Sequence, residues 1–378
     1  MQTAATAESD APANAAQAVR DGANVLEVRD LQTYFALDEG TVRAVDGISF
    51  DIKRNSVLGI VGESGCGKSV LARSIMSIIQ PPGYIPNGQI HFTRLVDGVM
   101  RSDDLVKLDP DGEEMRSIRG GEITMVFQEP MVSFSPVYTI GNQIMEAVTL
   151  HQKVSKAEAR NRTIELLGLV GIPNPERRID EYPFNFSGGM RQRAMIAMAL
   201  SSNPKLLIAD EPTTALDVTT QAQILELMVK LREEFGMAMI LITHNLGVVA
   251  QMAKEVAVMY LGKIVEYTDV ATLFSNPQHP YTQELLKSIP RLGRSKQTAR
   301  LTAIKGSVPP PYSRPGGCMF HPRCPQAMAG VCETTNPEPI QISENHLASC
   351  LLHSDAAKQS SRAPETTLDS DIFRRREE

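Results

Sequence analysis

The chain has 378 residues, 42% hydrophobic and 22% charged, which is an ordinary globular composition with room for one large or two ordinary domains. Its net charge is −6 and Trp is absent, which argues against nucleic acid as the main partner, since a basic stripe and stacking aromatics would be expected there. No apolar run approaches the roughly 20 residues that span a bilayer, so any link to a membrane is expected to come through partner proteins.

The two ends of the chain differ in character from its middle. Residues 1–24 lack the basic start and apolar stretch of a secretory signal and are predicted to be a disordered tail. Residues 353–378 are polar and charged and are predicted to be a second disordered tail. Without a signal, the chain is expected to be cytosolic and its five cysteines to stay reduced.

Short apolar runs separated by turns predict buried strands. The runs are Val25–Leu31, Ala44–Ile52, Ser56–Val61, Leu206–Ala209 and Ala238–Thr243. A helix is predicted over Ser69–Ile79, because Leu71, Ile75 and Ile78 would share one of its faces. Strands that alternate with helices and are apolar throughout indicate a parallel α/β core.

A glycine-rich segment joins the third of these runs to the predicted helix. It fits the pattern G-x-x-x-x-G-K-[ST], for which a chance match is on the order of 1% in a chain of this length. Its residues are Gly62, Glu63, Ser64, Gly65, Cys66, Gly67, Lys68 and Ser69. The glycines allow backbone N–H groups to surround a phosphate, Lys68 adds a charge, and Ser69 offers a hydroxyl to Mg²⁺. The segment predicts ATP as the ligand.

An acidic pair follows the strand Leu206–Ala209. Asp210, at the end of a buried strand, is predicted to hold Mg²⁺, and Glu211 to act as the general base on the attacking water. The alternative is an acidic pair that only faces solvent, and the presence of a phosphate loop in the same chain disfavours it.

Three further features predict a divided nucleotide site. Gln128, after a run over Ile123–Phe127, and His244, after the strand Ala238–Thr243, can reach the metal and the γ-phosphate, although each would ordinarily be a polar loop residue. The sequence Ser187-Gly188-Gly189 opens a helix predicted over Met190–Leu200, and such a helix end is a second anion site. One nucleotide can be bound by two helix N-termini if the second helix belongs to another subunit.

Together these motifs resemble the ATP-binding subunits of ABC transporters over residues 25–290, and they occur in that family's order. Within the family the chain resembles the oligopeptide and dipeptide importer ATPases, the dipeptide branch above all. The segments that carry this narrower resemblance are Phe127–Met131, Ser187–Arg193, His279–Thr282 and Gly316–Cys350. The resemblance implies a P-loop NTPase fold with a parallel core sheet, an antiparallel β subdomain and a helical subdomain over residues 25–285, followed by a small cysteine-containing appendage over 286–352.

The resemblance also implies a head-to-tail dimer of ATPase subunits. Ser187, Gly188 and Gly189 would then contact the partner's nucleotide, and Asp217 would communicate across the interface. Phe35 stands where the family stacks an aromatic ring on adenine, although core packing explains it equally well. The chain departs from the usual pattern at two positions that flank the Ser-Gly-Gly turn, which are Phe186 and Met190.

The function implied is that of the ATP-hydrolysing subunit of an importer, peripheral on the cytoplasmic face of the inner membrane. Its implied partners are two transmembrane permeases, a second homologous ATPase and an extracytoplasmic substrate-binding protein, with no nucleic acid. Peptides are the expected cargo, and nickel complexes, oligosaccharides or opine-like compounds are alternatives. A soluble ABC ATPase of ribosomes or DNA, and a metal or redox sensor, fit less well, because the chain carries one uninterrupted cassette and a complete hydrolytic set.

Four cysteines fall in the appendage: Cys318, Cys324, Cys332 and Cys350. The C-x₂-C spacing common in structural zinc sites is missing, and the longer gaps favour a cluster, for which the resemblance implies [4Fe–4S]. Four reduced, partly buried thiols, or zinc held with His321 or His346, are the alternatives.

Overall fold

The computed structural model describes residues 23–128, 133–214, 216–289 and 304–354. The two predicted tails lie almost entirely outside these ranges. Two sheets organise the molecule. The strands are β1 (Asn24–Leu37), β2 (Gly40–Lys53), β3 (Val57–Val61), β4 (Gly83–Val96), β5 (Val99–Asp104), β6 (Ile123–Val126), β7 (Leu206–Asp210), β8 (Ala238–Thr243), β9 (Glu255–Tyr260), β10 (Lys263–Asp269), β11 (Ile340–Ser343) and β12 (His346–Ala348).

Ten helices accompany the strands in this part of the chain. They are α1 (Lys68–Ile75), α2 (Glu113–Ile118), α3 (Ile140–His151), α4 (Lys156–Leu169), α5 (Pro175–Arg178), α6 (Gly188–Leu200), α7 (Val218–Phe235), α8 (Leu246–Met252), α9 (Val270–Ser275) and α10 (Pro280–Lys287). Short 3₁₀ turns lie at Pro183–Asn185, His321–Arg323 and Leu351–His353. Across the described ranges, no helix combines the length and the apolar character that crossing a bilayer requires.

The larger sheet has eight strands in the order β11-β12-β10-β9-β3-β8-β7-β6, and the five from β9 to β6 are parallel. The smaller sheet is antiparallel, in the order β2-β1-β4-β5. The predicted parallel core, antiparallel sheet and helical region are therefore all present. Because the carboxyl ends of parallel strands meet at one sheet edge, the segments after β3, β6, β7 and β8 converge there.

The central strands are buried on both faces, as the unbroken apolar runs predict. Alternate residues serve different cores. Leu58, Ile208 and Ile240 pack with α1 and the antiparallel sheet, whereas Leu207 and Leu241 pack with the helical region. The sheet thereby fixes the phosphate loop between two cores.

The helix after the phosphate loop is shorter than predicted. It ends at Ile75, because Ser77 takes a left-handed backbone with φ of +53°. The N–H groups of Ser77 and Ile78 then donate to Ser74 O at 3.1 Å and Arg73 O at 3.0 Å, a closing pattern typical of helix C-termini. Ile78 still packs against the core from outside the helix.

The C-terminal appendage is joined to the ATPase body through the main sheet. Strand β12 pairs antiparallel with β10, with Glu266 opposite Ala348, and β11 pairs with β12. Phe320 lies edge-on against Tyr260 and Tyr281, with both pairs of ring centroids 5.3 Å apart. The appendage thus shares a sheet and an aromatic core with the body.

A buried polar network secures this junction. The carboxylate of Glu266, 1% exposed, lies 2.7 Å from His346 Nε2 and accepts the backbone N–H groups of Gln278 at 2.6 Å and His279 at 2.9 Å. The imidazole of His279 is also buried, and its Nδ1 accepts the Tyr281 N–H at 3.0 Å, which caps α10. Burial lowers the pKa of His279 from its ordinary value of 6.5 to about 4.

Because the folded state depresses the pKa of His279, the neutral ring contributes stability above pH 6.5, and that stability is lost as the pH falls toward 4. We expect His279 to contribute about 3 kcal/mol to this loss in the free energy of unfolding. Replacing His279→Asn keeps a side-chain acceptor for the cap but removes the titration. Urea unfolding between pH 7 and pH 4 should therefore show a shallower loss for this variant, and equal slopes would contradict the prediction.

Candidate nucleotide site

The phosphate loop lies between β3 and α1, as its motif requires. The Lys68 side chain folds back over the loop, where Nζ donates to Gly62 O at 2.8 Å and Glu63 O at 3.1 Å. Gly67, with φ of +106°, is the N-cap residue of α1, and its carbonyl accepts the Leu71 N–H at 2.9 Å. An ammonium group and the amino end of a helix therefore meet at one point, which suits an anionic ligand.

A cavity of about 330 Å³ opens above this loop. Five of the eight predicted loop residues line it: Ser64, Gly65, Gly67, Lys68 and Ser69. Phe35, Ala44, Gln128 and Glu211 also line it. Phe35 is partly buried and lines the cavity, where an aromatic ring can contact a planar ligand.

Asp210 lies at the end of β7 and is 3% exposed. Its carboxylate accepts a hydrogen bond from the Ser69 hydroxyl, and burial together with the charge of Glu211 raises its pKa. Within the described chain, Asp210 Oδ1 is buried without a hydrogen-bond partner. A buried carboxylate oxygen with a free lone pair beside a hydroxyl is a donor set that fits Mg²⁺.

Glu211 adopts a left-handed backbone with φ of +47°, which is uncommon outside glycine and is often found at functional sites. Its Oε2 accepts from Gln128 Nε2 at 3.2 Å and from the Thr214 hydroxyl at 2.8 Å, and it lies 3.3 Å from His244 Nδ1. Three predicted residues from three different strand ends therefore meet at one carboxylate oxygen. The arrangement can hold and polarise a water molecule next to the phosphate loop.

The Ser-Gly-Gly turn and Asp217 do not line this cavity. Ser187 caps α6, where its hydroxyl accepts the Met190 N–H at 3.3 Å, and Asp217 caps α7, where its carboxylate accepts the Thr220 N–H at 3.0 Å. The two caps are neighbours, since a Cβ at Gly189 would lie 2.8 Å from the Thr220 methyl group. These residues form a second polar surface, separate from the chain's own phosphate loop.

The two departures from the usual pattern have different environments. Phe186 is 2% exposed and packs in the core of the helical region, while Met190 is only partly buried against the same core. The larger ring before the turn is therefore accommodated inside the protein.

Several residues at the site were not predicted. Pro311 and Arg314, from the appendage, line the cavity beside Phe35, together with Arg43 from β2. Tyr281 accepts the Glu63 N–H at 2.9 Å and so contacts the phosphate loop directly. Tyr281 lies in His279–Thr282, a segment that the sequence marked only by its resemblance to the importer ATPases. No local sequence pattern marks Arg43 or Arg314 as residues of the site.

The four appendage cysteines are unpaired, and all but Cys324 are buried. Among the residues described, no three His, Cys, Asp or Glu side chains are grouped so as to hold a single metal ion. Zinc with His346 finds no support, since that ring is engaged by Glu266. Burial, reinforced by the charges of the other three cysteines, raises the pKa of Cys350 to about 12.

Comparison with known families matches two parts of the chain. Residues 45–214 match the family described as ABC transporter, and residues 265–332 match the C-terminal region of oligopeptide and dipeptide transporters. The chain is 48% identical over 335 residues to the dipeptide transport ATP-binding protein DppD of Bacillus subtilis, covering 88% of this chain and 96% of that protein. It is 49% identical over 336 residues to the oligopeptide transport ATP-binding protein OppD of the same organism, covering 88% and 90%.

A solved structure shares the fold of the ATPase body. It is the dimeric, post-hydrolysis form of the ATP-binding cassette MJ0796 bound to ADP and Pi, with a TM-score of 0.56 and 26% identity over 65% of this chain and 98% of that one. With relatives of such identity along nearly its whole described length, the chain is an ATPase coupled to transport and belongs to the family of ATP-binding subunits of oligopeptide and dipeptide ABC transporters.

Proposed function

We propose that this chain powers the import of short peptides through membrane permeases by hydrolysing ATP between two ATPase subunits. The proposal of ATP hydrolysis rests on one observation. Gln128 and His244 both contact the Glu211 carboxylate beside the phosphate loop. The peptide cargo is inferred from the relatives, whose names state dipeptide and oligopeptide transport.

In this proposal the phosphate loop binds the β- and γ-phosphates, and Lys68 neutralises their charge. Glu211 takes the proton from the attacking water, while His244 positions the γ-phosphate. Ser69, Gln128 and Asp210 would hold Mg²⁺, which supplies charge stabilisation to the phosphates when bound. Phe35 stacks on the adenine ring.

The second half of each site is proposed to come from another ATPase subunit, a homologous second chain. The Ser187 turn and Asp217 are placed away from the chain's own cavity, as a shared site would require. The related cassette MJ0796 is dimeric in its structure with ADP and Pi. The chain alone should therefore hydrolyse ATP poorly.

The permeases are proposed to dock on the helical region, which places the chain at the cytoplasmic face of the inner membrane. Two apolar side chains shortly before α3 are exposed, Val137 at 71% and Tyr138 at 57%. A groove of about 660 Å³ between α3 and α4 includes Tyr138 and Met145 in its walls. A permease seated in such a groove would couple closure at the nucleotide to the membrane subunits. An extracytoplasmic binding protein would select the cargo.

Co-purification and uptake test this function together. A tagged chain expressed with its genomic neighbours should bring down two permeases and a second ATPase, and cells or vesicles with the assembled complex should accumulate labelled dipeptides only with ATP. Lys68→Ala should abolish both ATP binding and uptake. Accumulation of nickel complexes or oligosaccharides instead of peptides would overturn the cargo, and hydrolysis unaffected by any membrane partner would overturn the transport role.

We also propose a [4Fe–4S] cluster on Cys318, Cys324, Cys332 and Cys350. Four unpaired thiols in the appendage supply the donors that such a cluster uses, and the Cys318 N–H donates to Cys332 O at 2.8 Å, which brings two of these residues together. A cluster spaces its ligands more widely than a single ion does. Anaerobically purified protein should contain about four iron and four sulfide per chain, with broad visible absorbance that Cys350→Ser diminishes. Absence of iron, sulfide and absorbance would leave four reduced thiols.

A further inference from the structure

The carboxylate of Glu63 faces the C-terminal appendage, although Glu63 belongs to the phosphate loop. It forms a two-pronged ion pair with Arg323, with Nη1 to Oε2 at 2.7 Å and Nη2 to Oε1 at 3.0 Å. The Arg323 side chain is 4% exposed and that of Glu63 26%. The remaining guanidinium nitrogen, Nε, donates to Lys305 O at 3.2 Å, so the arginine is held on all sides. Arg323 directly precedes Cys324 and lies in the 3₁₀ turn His321–Arg323.

The main chain of Glu63 is fixed as well. Its N–H donates to the hydroxyl of the buried Tyr281, and its carbonyl accepts from Lys68 Nζ at 3.1 Å. The cavity itself is lined by the next two residues, Ser64 and Gly65. Glu63 therefore joins the appendage to the loop without itself lining the cavity.

A second contact joins the appendage to the other end of the cavity. Arg314 pairs with Asp46 at 2.7 Å and donates to Leu261 O at 2.7 Å, and both charged side chains are mostly buried. Arg314 lines the cavity on the side of Phe35. The appendage thus contacts the phosphate loop through Arg323 and lines the nucleotide cavity through Arg314.

We propose that Arg323, acting through Glu63, is a positioning residue that holds the phosphate loop ready for ATP, so that the appendage sets the site's ATP affinity. A planar arginine fork on a carboxylate restrains both position and orientation. A loop held in its binding conformation loses less conformational freedom on binding. Arg323 contacts none of Gln128, Glu211 or His244, so its effect falls on binding rather than on the hydrolytic step. The inference rests on the phosphate-loop assignment proposed above.

ATP binding by the full chain, measured by equilibrium titration, tests this. Arg323→Gln should weaken ATP binding about tenfold, equal to about 1.4 kcal/mol. Glu63→Gln should weaken it similarly without altering the appendage, and the double variant should be no weaker than either single one, because both remove one interaction. In the assembled transporter, Arg323→Gln should raise KM for ATP while kcat at saturating ATP stays within about twofold.

A matched control and a reference variant make the outcomes separable. Arg160→Gln breaks another two-pronged ion pair, with Asp180 at 2.9 Å and 2.7 Å, on the exposed helical region, and it should leave ATP binding unchanged. If Lys68→Ala abolishes binding but neither Arg323→Gln nor Glu63→Gln changes it, the positioning role is overturned and the loop assignment stands. If Lys68→Ala binds ATP normally, the loop assignment itself fails. A kcat loss with unchanged affinity would also overturn the proposal.

Discussion

Replacing Glu211→Gln is expected to lower ATP hydrolysis by the assembled transporter at least about 100-fold, which is the contribution typical of a general base. The amide has the same shape and keeps an oxygen that can accept from Gln128 and the Thr214 hydroxyl, so the local fold should persist. ATP binding should stay within about threefold, because the phosphate loop and Lys68 are untouched. Phosphate release and ATP titration on the same preparation measure the two effects.

The control for this variant is Glu226→Gln, on the exposed face of α7, which changes the same charge away from the cavity and should have no effect. Unchanged hydrolysis in the Glu211→Gln protein would assign the proton transfer to another group or the essential turnover to the second subunit's site. Loss of ATP binding would mean that Glu211 has a structural role.

Replacing Gly67→Ala is expected to weaken ATP binding at least about 100-fold, about 2.7 kcal/mol, within the range of overpacking costs. Its backbone has φ of +106°, and an added Cβ would lie 2.0 Å from the carbonyl oxygen of Ala44 on β2. Since that oxygen belongs to a strand, the loop must move instead, and the start of α1 moves with it. Equilibrium titration measures the loss, and circular dichroism checks that the chain is folded.

A control substitution at another glycine with positive φ distinguishes two causes of weaker binding, which are steric contact of the added Cβ and backbone strain. Gly98, in the turn between β4 and β5, has φ of +80° and nothing within 4 Å of an added Cβ. Gly98→Ala should cost only about 1 kcal/mol of stability and leave ATP binding intact. Equal effects of the two substitutions on binding would show that contact with Ala44 is not the cause.

Most of the geometry of the candidate site could be predicted from the sequence, because its elements are local. The phosphate loop is one continuous segment between a strand and a helix, and Asp210, Glu211 and His244 each follow a strand that is apolar throughout. Parallel strands then bring these ends together without any further information. Gln128 could be predicted from the strand that precedes it and from its place in the order of the motifs.

What could not be predicted depends on contacts between distant segments. Arg323 and Glu63 are 260 residues apart, and neither has a local pattern that marks it. Strands β11 and β12 were missed because β12 has only three residues and β11 alternates half-buried with exposed ones, so neither forms an apolar run. The end of α1 was misjudged because Ile78 contributes to the core after the helix has ended.

The sheet that runs unbroken from β6 to β11 has a practical consequence for anyone who shortens this chain. Trimming it after α10 would strip β12 from β10 and bare a row of unpaired backbone N–H and C=O groups. An exposed sheet edge of this kind can pair with strands of other molecules. The shortened protein should therefore aggregate during expression, even though it retains every nucleotide motif. By covering the edge of β10, the appendage is expected to limit aggregation. A shortened ATPase fragment of this protein should therefore extend to Ser354.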